Sequence, residues 1–207
     1  MDTPGPVLEL HGLLAERTTH RDPAVIAELD ARIRSRFERP LAVMITDMAG
    51  FSTITQQAGI IHFLALIQHM HGLCVPVIEA HGGRLIKAEA DNLYASFPEP
   101  ILAVDAAVAM RAACDADAKL RSVLDRVQVA IGLGFGPILD IDGHDFFGDQ
   151  VNMASKLGED IASAGEILLT RQMAEQLSEH PLASALVPHS AKISKVELDY
   201  FSLGVVG

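Results

Sequence analysis

The order of apolar segments after Pro40 constrains the fold of this chain more than any other feature of its sequence. Short apolar runs indicate strands, longer periodic runs indicate helices, and the pair Gly82-Gly83 separates the first helix from the strands that follow. In chain order, the pattern predicts a strand at 41–46, a helix at about 53–81, strands at 84–88 and 93–97, a helix at 101–120 and a strand at 127–135. This order predicts an α+β domain with a split βαβ sheet and helices on one face.

The segments that flank this core are less regular. A bend at Gly136-Pro137 precedes a predicted strand at 138–141, a helix at 151–162, a strand at 166–170, a short helix at 171–179 and a closing strand at 196–203. Residues 1–38 predict a separate helical arm, with a loose start at Pro4 and Pro6 and an amphipathic helix from Pro23. We interpret this arm as a packing or dimer contact, with a regulatory device as the alternative, and assign 39–207 to the main domain.

The composition limits the kinds of molecule that the chain can bind. The chain has 207 residues, 49% of them hydrophobic, and a formal net charge of -11. That charge argues against nucleic-acid binding, which requires a basic face, so a polyanionic substrate would need divalent metal ions or a local basic cluster. The most apolar stretch, Ile60–Ala80, is interrupted by histidines and by Glu79, so we expect no membrane span and a cytoplasmic protein.

The first candidate for chemistry is the segment that ends the first predicted strand. Asp47 is a potential metal ligand at the end of a buried strand, and the backbone amides of Ala49, Gly50 and Phe51 open the next helix. Such amides can hold phosphate oxygens. Alone, an aspartate in this place is also explained as a helix cap or a turn residue.

The second candidate is the turn of the predicted hairpin. Asp91 would approach Asp47 if the hairpin lies beside the first strand, and two carboxylates that share two Mg²⁺ ions form a common arrangement for phosphoryl chemistry. Ordinary turn chemistry explains Asp91 equally well in isolation, and Lys87 would then be a solvated strand-end charge. Glu89 either assists metal binding or is simply exposed.

The third candidate lies on the predicted helix at 151–162. Asn152 and Lys156 are four residues apart and therefore lie on one helix face, where an amide and a cation can contact a ribose and a phosphate. The alternative is a polar outer face opposite the apolar residues of the same helix.

Together and in this order, these motifs resemble the class III adenylate/guanylate cyclase catalytic domain, over roughly residues 40–203. The resemblance rests on Thr46–Phe51, Lys87–Asp91, Asp145–Ser155 and Gly165–Thr170. It implies a ferredoxin-like split βαβ core with a mixed, mainly antiparallel sheet. It also implies a head-to-tail homodimer with active sites at the interface, two divalent cations (Mg²⁺ or Mn²⁺), and ATP or another nucleoside triphosphate as substrate.

The resemblance also implies residue roles. Asp47 and Asp91 match the metal-binding aspartates, whereas Lys87 and Asp145 match the pair that reads the purine. Asn152 matches the asparagine that orients the ribose. Lys156 stands where active members usually carry arginine, and Lys192 and Lys195 are both candidates for a triphosphate contact.

The pair formed by Lys87 and Asp145 favours adenine over guanine. Lysine only donates hydrogen bonds and an ionised aspartate only accepts them, which complements the N1 acceptor and the 6-amino donor of adenine and opposes the matching edge of guanine. Two residues depart from the family pattern: Lys156 in place of arginine predicts slow turnover. Ala90 in place of glycine would strain the backbone and displace the metal site if that position needs a positive φ. The alternatives are a cyclase of another base specificity, a nucleotide-binding dimer without catalysis, and a purely structural interaction domain.

Overall fold

The computed structural model describes residues 5–193 and 196–204, and within them the chain forms a mixed sheet covered by helices. The strands are β1 (Glu38–Met48), β2 (Arg84–Glu89), β3 (Asn92–Phe97), β4 (Val129–Asp140), β5 (Phe146–Phe147), β6 (Ile167–Thr170), β7 (Leu186–Ile193) and β8 (Val196–Leu203). Their spatial order is β2-β3-β1-β4-β6-β8-β7, with β5 paired to β4. The β4–β6 pair is parallel and the other pairs are antiparallel, which confirms the predicted mixed, mainly antiparallel α+β sheet.

The helices are α1 (Gly5–Thr19), α2 (Pro23–Phe37), α3 (Phe51–Ala58), α4 (Ile60–Ala80), α5 (Pro100–Ala118), α6 (Asp149–Ser155) and α7 (Arg171–Glu175). A π-helical turn, Lys156–Ile161, continues α6. The predicted single helix over 53–81 is wrong at its start, because Gly59 adopts φ 86° and ψ 165° and divides α3 from α4. Glycine reaches that backbone conformation without the steric cost of a side chain.

Helices cover both faces of the sheet. Along β1, Ala42 and Met44 pack with α4 and α5 in the larger core, whereas Val43 and Ile45 pack with α6 on the opposite face. The expectation of helices on one face is therefore wrong. Because Gly134 lacks a side chain, α6 can approach β4 closely, and a Cβ at that position would lie 2.7 Å from the Gln150 carbonyl oxygen.

Two further predictions are corrected by β4 and β7. Strand β4 continues through Gly136-Pro137 without the expected break, because its residues stay paired with β1 as far as Leu139. Strand β7 is an additional strand that pairs with β8. Its apolar residues are interrupted by Pro188, His189 and Ser190, so the sequence did not predict a strand there.

The arm is more ordered than its sequence predicts, because α1 precedes the expected helix α2. Leu10, Ile33, Phe37 and Ile141 form a separate apolar cluster that joins the arm to the end of β4. Arg36 strengthens this contact, since its guanidinium bonds Asp142 at 2.7 Å and Glu9 at 3.1 Å. The division into an arm at 1–38 and a domain at 39–207 stays a prediction.

Helix α4 has the length and composition that a membrane-crossing helix needs, contrary to the sequence-based exclusion of such a segment, and the described residues contain one helix of this kind. Its Met70, Cys74 and Ile78 are fully buried in the larger core against the sheet. A core helix satisfies the same length and composition criteria, so this property alone is weak evidence for a membrane span.

Candidate active site

Three carboxylates form what we call the acidic group: Asp47, Asp91 and Glu159. Asp47 is the penultimate residue of β1 and lies opposite Asn92 of β3. The amide of Met48 donates a 3.2 Å hydrogen bond to the carbonyl of Asp91, which holds the β2–β3 turn against the end of β1. The structure thus brings Asp91 to Asp47, as the hairpin argument expected.

The negative charges of the acidic group repel one another. Burial, followed by the nearby charges of Asp91 and Glu159, raises the pKa of Asp47 to about 7, while the hydrogen bond from the Met48 amide opposes the shift. Like charges in a half-buried site favour protonation of one carboxyl group, or the binding of a cation. A divalent cation would relieve the same repulsion.

The local residues fit a divalent cation that is completed by its substrate. The side-chain oxygen Oδ1 of Asn92, beside Asp47, is buried without a hydrogen-bond partner among the described residues. Within the same described ranges, no three histidine, cysteine, aspartate or glutamate side chains converge on one cation position. Mg²⁺ characteristically takes one or two carboxylates and completes its shell with water and phosphate oxygens.

The backbone next to Asp91 is strained. Ala90 adopts φ 52°, in the left-handed region that glycine favours. The condition under which alanine was expected to strain this turn is therefore met. In contrast, the turn after Asp47 has the residue it requires, because Gly50 caps α3 at φ 99°.

The amides after Asp47 are not equally available. Ala49 donates its N–H to the carbonyl of Gln128 at 2.9 Å, so the expectation that it binds a phosphate oxygen is wrong. Gly50 and Phe51 lie at the start of α3, where the first amides of a helix lack partners within the helix. Those two amides remain candidates.

Lys87, Glu89 and Asp145 form the ion-pair group. The Lys87 Nζ lies 3.2 Å from Asp145 Oδ1 and 3.3 Å from Glu89 Oε1. Burial alone would lower the pKa of Lys87, but its bonds to Asp145 and Glu89 raise the pKa above its usual value. The amide of Phe146 also donates to Asp145 Oδ1 at 2.8 Å. Glu89 therefore pairs with Lys87.

Asn152 and Lys156 are exposed on one face of α6 and its continuation, while Val151, Ala154 and Leu157 are buried on the other. In the part of the chain that the structure describes, neither side chain bonds to the acidic or the ion-pair group. The side chain of Lys192 and the whole of Lys195 lie outside the described residues.

Sequence reasoning missed Tyr94 and Glu159. The hydroxyl of Tyr94 donates to Glu159 Oε1 at 3.0 Å, and the Lys87 Nζ lies 5.1 Å from the Tyr94 ring centroid. Tyr94 matched only a strand pattern, and Glu159 looked like one charge of an amphipathic helix. Their meeting depends on the π-helical turn, which no sequence pattern indicated.

Comparisons with known proteins identify the family of the chain. Residues 34–194 match the family model described as the adenylate and guanylate cyclase catalytic domain. An uncharacterised protein of Mycobacterium tuberculosis is 30% identical over 137 residues, which is 65% of this chain and 34% of that protein. The chain thus spans about a third of the length of the curated relatives it matches.

Two further comparisons carry functional names. An adenylate cyclase of Streptomyces coelicolor is 26% identical over 140 residues, which is 68% of this chain and 35% of that protein. The solved structure of an adenylate/guanylate cyclase/hydrolase from Silicibacter pomeroyi has a TM-score of 0.70 at 24% identity and covers 82% of this chain and 98% of that one. The chain therefore belongs to the adenylate and guanylate cyclase catalytic domain family.

Proposed function

We propose that the chain is an adenylate cyclase that converts ATP to 3′,5′-cyclic AMP and pyrophosphate as a head-to-tail homodimer in the cytoplasm. The observation that carries the choice of base is the Lys87–Asp145 pair, with its atoms 3.2 Å apart. Lys87 retains donors for adenine N1, and the free lone pairs of Asp145 accept from the 6-amino group. Guanine would place a donor against the lysine and an acceptor against the carboxylate.

The separation of the side-chain groups supports the homodimer. Asn152 and Lys156 are exposed on α6 and make no bond to the acidic group among the described residues. Within the described part of one protomer, no bond thus joins these two side chains to the acidic group, which leaves them available to a second copy. We infer that Asp47 and Asp91 of one protomer face the ion-pair group, Asn152 and Lys156 of a second copy.

Asp47 and Asp91 would hold two divalent cations, Mg²⁺ or Mn²⁺. When bound, these cations would lower the pKa of the ribose 3′-hydroxyl and neutralise the triphosphate charge. Asp47 must give up its proton to bind a cation, and its raised pKa makes this cost appreciable near pH 7.

In the proposed reaction, the ribose 3′-oxygen attacks the α-phosphorus, the bond from the α-phosphorus to the bridging oxygen breaks, and pyrophosphate leaves as the 3′-hydroxyl proton is released. Asn152 orients the ribose for in-line attack, and the amides of Gly50 and Phe51 bind phosphate oxygens. Lys156 balances the charge that develops on the phosphorus oxygens. Because lysine lacks the planar fork of arginine, we expect slow turnover.

The direct test is incubation with each of ATP, GTP, CTP and UTP, first with Mn²⁺ and then with Mg²⁺, and identification of the products by mass spectrometry. We expect cyclic AMP from ATP and no product from the Asp47→Ala variant. Cyclic GMP as the main product would refute the adenine assignment, while the absence of any cyclic product would refute the enzyme.

Complementation tests the composite site. Asp47→Ala and Lys87→Ala variants should each have strongly reduced activity as homodimers. Their mixture forms heterodimers in which one site combines the intact Asp47 of one protomer with the intact Lys87 of the other. Recovery of activity on mixing is expected, and its absence in a sample shown to contain heterodimers would contradict the two-protomer site.

A second candidate is a dimer that binds nucleotide without turnover, which the left-handed Ala90 and the lysine at position 156 favour. Both candidates predict that ATP with Mn²⁺ raises the melting temperature. Only the cyclase predicts a covalent product, so thermal shift and mass spectrometry on one sample separate the two.

A further inference from the structure

Tyr94 lies between the acidic group and the ion-pair group of the same protomer. In the sheet it is opposite Ile45 of β1 on one side and Lys87 of β2 on the other. Cross-strand partners point to the same face, and alternate residues along a strand share a face. Asp47, two residues after Ile45, therefore projects on the face that carries the Tyr94 ring, which is the face covered by α6.

The hydroxyl of Tyr94 reaches the acidic group. It donates to Glu159 Oε1 at 3.0 Å, and Glu159 belongs to the π-helical turn that follows α6. The neighbouring Gly158 packs onto the end of β1 so closely that a Cβ there would lie 2.8 Å from the Ile45 carbonyl oxygen. The turn therefore lies directly over β1, where the charge of Glu159 acts on Asp47.

The ring of Tyr94 reaches the ion-pair group. The Lys87 Nζ lies 5.1 Å from the ring centroid, within the range of a cation–π contact. The ring also packs against Phe146, at 6.4 Å between centroids, and Phe146 donates its amide to Asp145. Tyr94 thus contacts Lys87 directly and Asp145 through Phe146.

We propose that Tyr94 is a positioning residue shared by the two active sites of the dimer. Its hydroxyl holds Glu159 as a third negative charge beside the cation-binding aspartates, and its ring orients Lys87 and Phe146. This inference rests on the proposed function, because in a head-to-tail dimer the acidic group of a protomer serves one active site and its ion-pair group serves the other. The hydroxyl of Tyr94 therefore affects cation binding at one active site, and its ring affects base binding at the other.

Cation affinity tests the hydroxyl without any need for turnover. Mn²⁺ titration of the nucleotide-free protein, followed by electron paramagnetic resonance, should give an affinity about fivefold weaker for Glu159→Gln, since one nearby charge is lost. Tyr94→Phe should weaken binding in the same direction by a smaller factor. The double variant should match Glu159→Gln, because both changes remove one interaction.

Tyr200→Phe is the matched control, since Tyr200 lies on β8 against His189 and is the other tyrosine of the chain. It should leave Mn²⁺ affinity unchanged. Unchanged affinity in Tyr94→Phe, or additive effects of Tyr94→Phe and Glu159→Gln, would overturn the role of the hydroxyl. This result stands whether or not the protein proves to be a cyclase.

Heterodimers test whether the two roles belong to different active sites. The test adds a Tyr94 substitution to one protomer of the Asp47→Ala/Lys87→Ala heterodimer. Tyr94→Phe in the protomer with intact Asp47 should raise the Mn²⁺ concentration needed for half-maximal activity. The same substitution in the protomer with intact Lys87 should leave that concentration unchanged. Tyr94→Leu should raise the KM for ATP only in the protomer with intact Lys87. Equal effects in both protomers would overturn the shared role, whereas no activity in the unmodified pair would count against the proposed function instead.

Discussion

The acidic group and the ion-pair group lie on one face of the same sheet, but they are in opposite electrostatic states. Lys87 pairs with both carboxylates of the ion-pair group, and a backbone amide also donates to Asp145, so each charged side chain of this group has a partner of opposite charge. The acidic group has like charges, a raised Asp47 pKa, a buried Asn92 oxygen without a partner among the described residues, and a strained neighbour in Ala90.

This difference indicates which part of the site is preformed. The ion-pair group is assembled before a nucleotide arrives, which lowers the reorganisation required to read a base. The acidic group is destabilising until a cation neutralises it, so cation binding and protein stability are linked there. Removing a charge should consequently stabilise one group and destabilise the other.

The largest expected effect is that of Asp47→Asn. Activity should fall by about a thousandfold or more, because a carboxylate that holds the cations is lost. The metal-free protein should nevertheless become more stable, by about 1 kcal/mol or about 2–4 °C in Tm, since repulsion from Asp91 and Glu159 is removed and water screens this half-exposed site. Differential scanning fluorimetry with a chelator measures the second effect. The control Asp115→Asn, at an exposed site on α5, should change neither quantity.

Lys87→Met should have the opposite effect on stability. Asp145 and Glu89 would lose their cation, which costs about 0.5 kcal/mol for a partly exposed pair. The kcat/KM for ATP should fall by about a hundredfold, because an acceptor on the base is left unpaired, and preference for ATP over GTP should shrink. Lys119→Met at the exposed end of α5 is the control. Undiminished base preference would show that this pair does not read the purine.

The pH dependence of the acidic group follows from Asp47. Its pKa is raised from 3.8 to about 7, so the folded protein retains a proton that the unfolded chain has released between these values. The contribution of Asp47 therefore makes the metal-free protein less stable as pH rises through that window. Mn²⁺ affinity should weaken by about tenfold per pH unit below 7, because the proton competes with the cation. Asp47→Asn should abolish the stability trend, and an unchanged trend would contradict the assignment.

Lys156→Arg should raise kcat by about tenfold, since the guanidinium can bridge two phosphate oxygens where the ammonium contacts one. Mn²⁺ affinity of the nucleotide-free protein should not change, because both side chains carry one positive charge and Lys156 makes no bond to the acidic group among the described residues. Steady-state kinetics beside a Lys119→Arg control measures the effect. Equal kcat in both variants would mean that Lys156 does not limit turnover.

Ala90→Gly tests the backbone strain of the turn that carries Asp91. Removing the side chain from a residue at φ 52° relieves about 1 kcal/mol of backbone strain, which urea denaturation detects. Ala88→Gly, two residues earlier within β2, should instead destabilise the protein by about 0.5–1 kcal/mol, since glycine weakens a strand. Destabilisation by both substitutions would show that the turn is not strained.

Sequence patterns located most of the core elements and, apart from Glu159, the residues of both groups. Asp47 and Asp91 were expected to approach each other on the condition that the hairpin lies beside the first strand, which it does. The position of α6 could not be predicted in the same way. Gly132 and Gly134 interrupt no strand pattern, yet they allow a helix to pack on the second face of the sheet.

The sequence by itself determined the α+β class, the family, and the chemistry available to Lys87, Asp145 and the two aspartates, because these depend on local pattern and residue type. Tertiary structure alone decided that Glu89 pairs with Lys87, that Ala49 has no free amide, and that Tyr94 bonds Glu159. Residues 94 and 159 are 65 positions apart in the chain. Their contact depends on sheet register and on one π-helical turn, and both arise from packing between distant segments.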